Sequence, residues 1–463
     1  MKKLALISLL AISSCTLEPS YHTPPHHLPL AENSQQKISE VSWDKFFESP
    51  DLQRVIKMAL ENNRDLKVAN LNVESLEAVY GVARASLFPS ISANGAETRQ
   101  KAPAAFKAFT PKRQYRANLA FTAYELDFWG RLRSLKKSAQ EDLLSSREAR
   151  NLVKITVISA TVNAYAQFLA DRENLRIAED NLKTLESRSH FVEVRRKAGL
   201  DSQQDYLLAL FNLENARNTY ENYRKYVEQD SNALMILTGK FSAESLPKVN
   251  SIDDIKINES LIEFVPSTSL LSRPDIKQAE HDLKGANADI GAARAAFFPN
   301  ISLSGTYGYG SRDLSTLFDS RTWTLTPQIT MPIFAGGQNI ARLKNANIQK
   351  QIEIINYEKA IHTAFREALD QFAEYESISN QLKSADKILK TQNKSFQIAV
   401  VRYQRGASNS LNKIDSQLLL LSARQNYVNV KKEYLANIIA LYKVLGGGND
   451  LEEERDDSFF NFL

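Results

Sequence analysis

The chain has 463 residues, with 58 basic and 54 acidic side chains for a net charge of +4, and a mean hydropathy of −0.35. Nearly balanced charge argues against nucleic acid as the principal partner, and a single cysteine leaves no partner for an internal disulfide. The only strongly apolar run read from the sequence is at the N-terminus, about ten residues long and too short for a spanning helix, so if this chain crosses a membrane it does so with strands.

Residues 1–14, MKKLALISLLAISS, combine a basic start with an apolar stretch and read as a secretory signal peptide. Cys15 follows directly. This arrangement resembles a bacterial lipoprotein signal, and the resemblance implies cleavage before Cys15, with S-diacylglycerol on its sulfur and an N-acyl chain such as palmitate on its new amino group. An ordinary signal with a chance cysteine is the alternative. Thr16, rather than Asp, stands next, which by the implied sorting rule favours the outer membrane. Residues 15–42 are expected to be a lipid-anchored, extended tether, rich in Pro and polar residues. His22, His26 and His27 sit there without a Cys or carboxylate cluster, so the tether is read as a solvated linker and metal ligands are expected to be none.

From Trp43 the pattern is helical. One helix is expected over Pro50–Leu60 and another, after a polar break at Asn62-Asn63, from Asp65 to Leu87. Phe88-Pro89 ends it, because the proline ring forbids a continuing helix. Two period-two segments follow, Ser90–Thr98 and Gln114–Tyr124; in the second, Tyr115, Ala117, Leu119, Phe121 and Ala123 alternate with Arg116, Asn118, Ala120 and Thr122. A long helix is expected from Gly130 to Ala198, with Leu175, Ala178, Leu182, Leu185 and Val192 largely on heptad-like spacings. Gly199 suits a left-handed C-cap, and Asp201-Ser202 can cap the next helix, which runs to about Gly239.

The same series then recurs. GVARASLFPSISAN at 81–94 is matched by GAARAAFFPNISLS at 291–304, about 210 positions later, and Arg195, Gly199 and Gly239 are matched by Arg402, Gly406 and Gly446. The chain is therefore read as a tandem duplication, with a first repeat at 43–245, a connector at 246–261, a second repeat at 262–448 and an acidic tail at 449–463. The second repeat predicts strands over Asn300–Gly310 and Arg321–Met331, the latter interrupted by an awkward Pro327. It also predicts a long helix from Gly337 to Arg405 and a hairpin tip at Gly406–Ser410. At about 1.5 Å per residue, each long helix would span roughly 100 Å if continuous.

The strand segments run to about 9–11 residues with one apolar and one small polar face, as expected of a lipid-facing, water-lined barrel. A soluble sandwich would show the same alternation. Four strands cannot close a barrel, since even small ones need about eight, and an open edge cannot survive in lipid. The barrel reading requires several chains to contribute to one ring.

The chain resembles the TolC-like outer-membrane factors, specifically the lipoprotein branch of multidrug efflux channels. The resemblance is carried by Cys15, WDKFFESPDLQRVIKMALENNRDL at 43–66, ARASLFPSIS at 83–92 and YELDFWGRLR at 124–133. In the second half it is carried by SRPDIKQAEHDLKGANADIGAARAAFFPNISLSG at 272–305, PIFAGGQNIARL at 332–343, VRYQRGASNSLNKIDSQ at 401–417 and LYKVLGGG at 441–448. It implies a mainly α protein with a membrane β part. As a homotrimer it would form a twelve-stranded outer-membrane β-barrel continuous with a long periplasmic α-helical barrel. The implied partners are a periplasmic adaptor (membrane fusion) protein, a proton-driven inner-membrane transporter and outer-membrane lipid. By the same resemblance the adaptor would touch the tips, Gly199, Leu200, Asp201, Ser202 and Gly406, Ala407, Ser408, Asn409. Leu411 and Asp415 would form apolar and carboxylate rings at a periplasmic gate. Related members carry a basic residue three positions after that aspartate; Leu418 stands there instead. Three carboxylates brought close would repel one another, which suggests a gate sensitive to pH or cations.

The function expected is a passive exit duct of a tripartite efflux system. The alternatives are a type I protein-secretion or metal-efflux duct, or a structural envelope lipoprotein without a pore. His190, His281 and His362 sit singly in helical patterns, and no GxSxG or HExxH motif occurs, so catalytic residues are expected to be none.

Overall fold

A computed structural model describes residues 16–25, 42–101, 103, 112–240, 251–259 and 267–447. The expected signal peptide, Cys15, His26, His27 and the acidic tail lie outside these residues. In chain order the elements are α1 (Trp43–Phe46), α2 (Pro50–Asn62), α3 (Arg64–Ala85), β1 (Ile91–Arg99), β2 (Arg113–Glu125), α4 (Arg131–Lys197) and α5 (Gln203–Thr238). They continue with α6 (Pro274–Ala295), β3 (Asn300–Ser311), β4 (Arg321–Thr330), α7 (Gln338–Gln404) and α8 (Ser410–Val444). The long helices α4 and α7 have 67 residues each.

Two spatial units cut across the two sequence repeats: one gathers Leu71–Arg147, Gln278–Lys359 and the N-terminal segment, the other Glu148–Lys277 with the neighbouring parts of α2, α7 and α8. The first unit contains a four-stranded antiparallel sheet in the order β1-β2-β3-β4. The register sorts side chains as the alternation requires. Ala93 faces Leu119, which faces Tyr307, which faces Trp323, while Asn94, Asn118, Gly308 and Thr322 line up on the other side. Thr306 and Thr324 share a 2.6 Å hydrogen bond on this polar face. Leu119, Tyr307, Trp323, Leu325 and Ile329 are all exposed. Gly308 is required by packing: a Cβ there would lie 2.3 Å from the Ala117 carbonyl oxygen. Pro327 pairs with Leu303 on β4, an edge strand of this chain's sheet, where a missing amide is tolerated. β2 shifts register between Phe121 and Tyr124, and Ala123 takes a left-handed φ of 51° while its amide donates to Ser304 Oγ.

The second unit is built around WDKFF. Phe46 stacks on Tyr442 at 4.4 Å and meets Phe47 edge-on at 5.0 Å, both phenylalanines fully buried. Ile158, Val162, Tyr165 and Leu169 of α4, Leu234 of α5 and Ile438 of α8 complete that core. One stretch of α4 is apolar and long enough to span a bilayer by composition, contrary to the expectation that the only strongly apolar run is the short one at the N-terminus. These buried residues account for it, and α4 is a core helix. The polar break falls at Asn63, whose Oδ1 accepts from the amides of Asp65 and Leu66 and caps α3. Asn63 Nδ2 also donates to the Leu237 carbonyl at the end of α5. In the second repeat Arg273 stands at this place and donates to the Val444 carbonyl at the end of α8. It is buried, and pairs with Asp275 and Glu367 at 2.7 and 2.9 Å.

Candidate functional site

Both hairpin tips turn through glycines in the left-handed region, Gly199 at φ 75° and Gly406 at φ 68°. At the first tip, Ser202 rather than Asp201 caps the next helix, in a capping box with Asp205. Asp201 instead accepts from Arg195 Nε at 2.9 Å, which ties the turn to α4, and Leu200 is left two-thirds exposed. At the second tip Asn409 caps α8, Asn412 Nδ2 donates to Ser408 Oγ, and the Ala407 amide closes on the Arg402 carbonyl. The position of Asp201 is taken by Ser408 in the second repeat, so the two tips differ in charge. Exposed Leu207, Leu208 and Phe211 continue from the first tip along α5.

One turn into α8, Leu411 is partly buried and Asp415 exposed. Asp415 Oδ1 accepts from Arg188 Nη1 of α4 at 2.6 Å. The cation beside the candidate gate carboxylate therefore comes from another helix, 227 positions away in sequence. Nothing in a local motif could have revealed it. Leu418 packs against a seam of Leu182, Leu185 and Leu213. Beside it lies a cavity of about 360 Å³ between α4, α5 and α8, with Asn181, Asn212, Ser422 and Gln425 in its wall. Gln417 Nε2 donates to Thr184 Oγ1 at 2.7 Å and adds a second tie between α8 and α4.

Further up the same helices is a pair of carboxyls that sequence reading missed. Asp171 of α4 and Asp230 of α5 lie close together, and the Asp230 carboxyl is pushed up to about 7 by burial first and then by Asp171, with Lys432 of α8 pulling the other way. Gln167 Nε2 donates to Asp171 Oδ2 at 2.7 Å.

In the sheet-bearing unit, His281 Nδ1 lies 2.7 Å from Glu141 Oε2. Asp142, Asp282 and Asp289 are all raised, in each case mainly by burial between α4 and α6. Among the described residues no cluster of His, Cys and carboxylates has the arrangement of a metal site. At the junction of strands and helices, Trp129 stacks on Phe298 at 4.7 Å and donates Nε1–H to the Pro299 carbonyl. Arg131 and Arg133 are held by Glu125 and Asp127.

Comparison with known proteins gives a consistent result. A family model described as outer membrane efflux protein matches residues 55–240 and again 265–447. A Pseudomonas putida protein named toluene efflux pump outer membrane protein TtgC is 37% identical over 96% of this chain and 94% of its own. Antibiotic efflux pump outer membrane protein ArpC, also from Pseudomonas putida, is 37% identical with the same coverage. Among solved structures, the open state of the Neisseria gonorrhoeae MtrE outer membrane channel is 31% identical, with a TM-score of 0.82 over 94% of this chain and 98% of that one.

Proposed function

The chain belongs to the outer membrane efflux protein family, and on that footing we propose that three copies close one twelve-stranded barrel and act as the exit duct of an efflux pump. The observation that carries this reading is a repeat-related mismatch of surfaces. Within the chain, α4 meets α6 through polar groups, Glu141 against His281. The duplication places Ile348 of α7 where Glu141 stands and Leu71 of α3 where His281 stands. Both are bare, at 42% and 60% exposure, and Ile340, Ile352, Ile355, Val68, Val79 and Val82 extend the same apolar faces. A second copy that set its α3 against this α7 would repeat the α4–α6 contact in apolar form.

The strand–helix junction supports the same reading. Trp129 and Phe128 cover Phe298-Pro299, whereas at the corresponding junction of the second repeat Ile333 and Phe334 are about nine-tenths exposed, and Phe88, the twin of Phe298, is two-thirds exposed. Edges β1 and β4 need partners in lipid for the same physical reason. Cys15 would carry the acyl anchor, the tips would meet a periplasmic adaptor, and a proton-driven inner-membrane transporter would select the cargo. Cargo of the kind in the relatives' names, apolar solvents and antibiotics, fits a duct with no selective site of its own.

The test is the trimer itself. Full-length protein extracted in mild detergent should have the mass of three chains and conduct ions in planar bilayers, and Leu71→Glu with Ile348→Glu should abolish both. A monomeric, insulating wild-type protein would end this interpretation.

A further inference from the structure

Residues 16–25 lie as an extended strap on the sheet-bearing unit. Glu18, with its side chain only 12% exposed, accepts from Lys137 Nζ of α4 at 2.7 Å. Asn287 of α6, fully buried, donates Nδ2 hydrogens to Glu18 Oε1 at 3.1 Å and to the Pro19 carbonyl at 2.9 Å. Arg294 Nη1 donates to the Leu17 carbonyl at 3.2 Å, and Lys284 Nζ sits 5.6 Å from the centre of the Tyr21 ring. The strap presses closest at Gly291, where a Cβ would lie 3.0 Å from Glu18 Cα. This glycine belongs to the duplicated helix-ending motif, yet its twin Gly81 has nothing within 4 Å. The twin of Asn287 is Glu77, a carboxylate that would repel an incoming Glu18 where an amide welcomes it.

We infer that α6, with Lys137 of α4, forms a peptide-binding groove whose ligand is the chain's own Thr16–Pro25 segment, selected through Glu18, and that this docking fixes the N-terminal end at α6 and not at its repeat twin α3. The ligand chemistry is a short extended peptide with an acid followed by proline. Two backbone carbonyls are read by side-chain donors, and the one acidic side chain takes a charge-assisted pair. Strap docking is thus independent of whether Cys15 is acylated, and it sets the place from which any anchor must reach the lipid.

The experiment uses the full chain in detergent. A variant lacking Leu17–Pro25 should bind a synthetic peptide of residues 16–25 in a fluorescence-polarisation assay, and the same peptide carrying Glu18→Ala should bind about tenfold or more weakly, as loss of a charged hydrogen bond entails. Equal binding of both peptides, or no binding of either, overturns the inference. Should that deletion fail to fold, Asn287→Asp in the intact chain supplies the second reading. Chymotrypsin should cleave after Tyr21 about tenfold faster in Asn287→Asp than in wild type, and equal rates overturn the inference. The mass of the released fragment reports separately whether Cys15 carries lipid.

Discussion

Replacing Asp230 by Asn should stabilise this protein at neutral and alkaline pH while leaving it unchanged in acid. The Asp230 carboxyl is half-buried between α5 and α4, facing Asp171 and, less closely, Lys432 of α8; Tyr223, one to two turns earlier on α5, is also raised, mainly by burial, and feels Asp171 as well. Its pKa is raised from 3.8 to about 7 in the folded chain. A raised carboxyl pKa means the folded state holds a proton that the unfolded chain has already released. The stability this position contributes is therefore complete below pH ~4 and is lost as pH climbs to ~7. At 1.36 kcal/mol for each tenfold in the ionisation constant, the full loss would approach ~4 kcal/mol per chain. Solvent screening of a half-exposed group brings this to about 2 kcal/mol. Asn removes the ionisation but keeps the shape, and the second repeat already uses it: Asn437 stands at the equivalent place and donates to the Gln371 carbonyl at 3.1 Å. The opposing Asp171 is matched there by buried Ile378. Thermal unfolding of wild type and Asp230→Asn, followed by circular dichroism at pH 4 and pH 8, is the assay. The two should melt together at pH 4 and the variant higher at pH 8. Identical pH profiles would show that the pair holds no proton of consequence.

Two further outcomes concern the gate and the tips. Arg188→Ala should raise single-channel conductance or open probability, because a partly exposed ion pair is worth roughly 0.2–1 kcal/mol and a trimer would lose three of them. Asp415→Ala should do the same, and unchanged traces for both would remove this pair from gating. Leu200→Arg should weaken efflux and co-purification of an adaptor without lowering trimer yield, since Leu200 is 66% exposed. Intact efflux and co-purification would move the docking surface elsewhere.

Alternation placed all four strands to within a residue or two, because a sheet with two distinct faces writes period two into the chain. It did not say which medium the apolar face meets; Trp323, Leu325 and Ile329 lie bare in register beside Tyr307, and the match to outer membrane efflux proteins supplies the medium. The bulge at Phe121–Tyr124 was illegible, since Ala123 continues the alternation and gives no hint of its left-handed φ of 51°. Glycine and polar caps were legible at Gly199, Gly406, Ser202 and Asn409, where local chemistry decides the turn. Partnerships across helices were not. Arg188 with Asp415, Asp171 with Asp230 and Glu18 with Lys137 each look like ordinary helix or linker charges until folding brings them together. The departure at Leu418 was visible, but its meaning was not: only the seam with Leu182, Leu185 and Leu213 shows that the place is held by packing.

Asn63 and Arg273 show how far the two halves of this gene have drifted while keeping one task. A neutral amide ties off the first half, whereas the second needs a guanidinium with Asp275 and Glu367 as company. The halves are no longer spare parts for each other: a gene spliced from two first halves would keep an aspartate at the place of Asp275, since Asp65 is its twin, but would bring neither Glu367 nor the amide at 287 that receives Glu18. Fusion into a single polypeptide is what allows each half to specialise, since six identical subunits around a ring would have to carry every one of these adaptations at once.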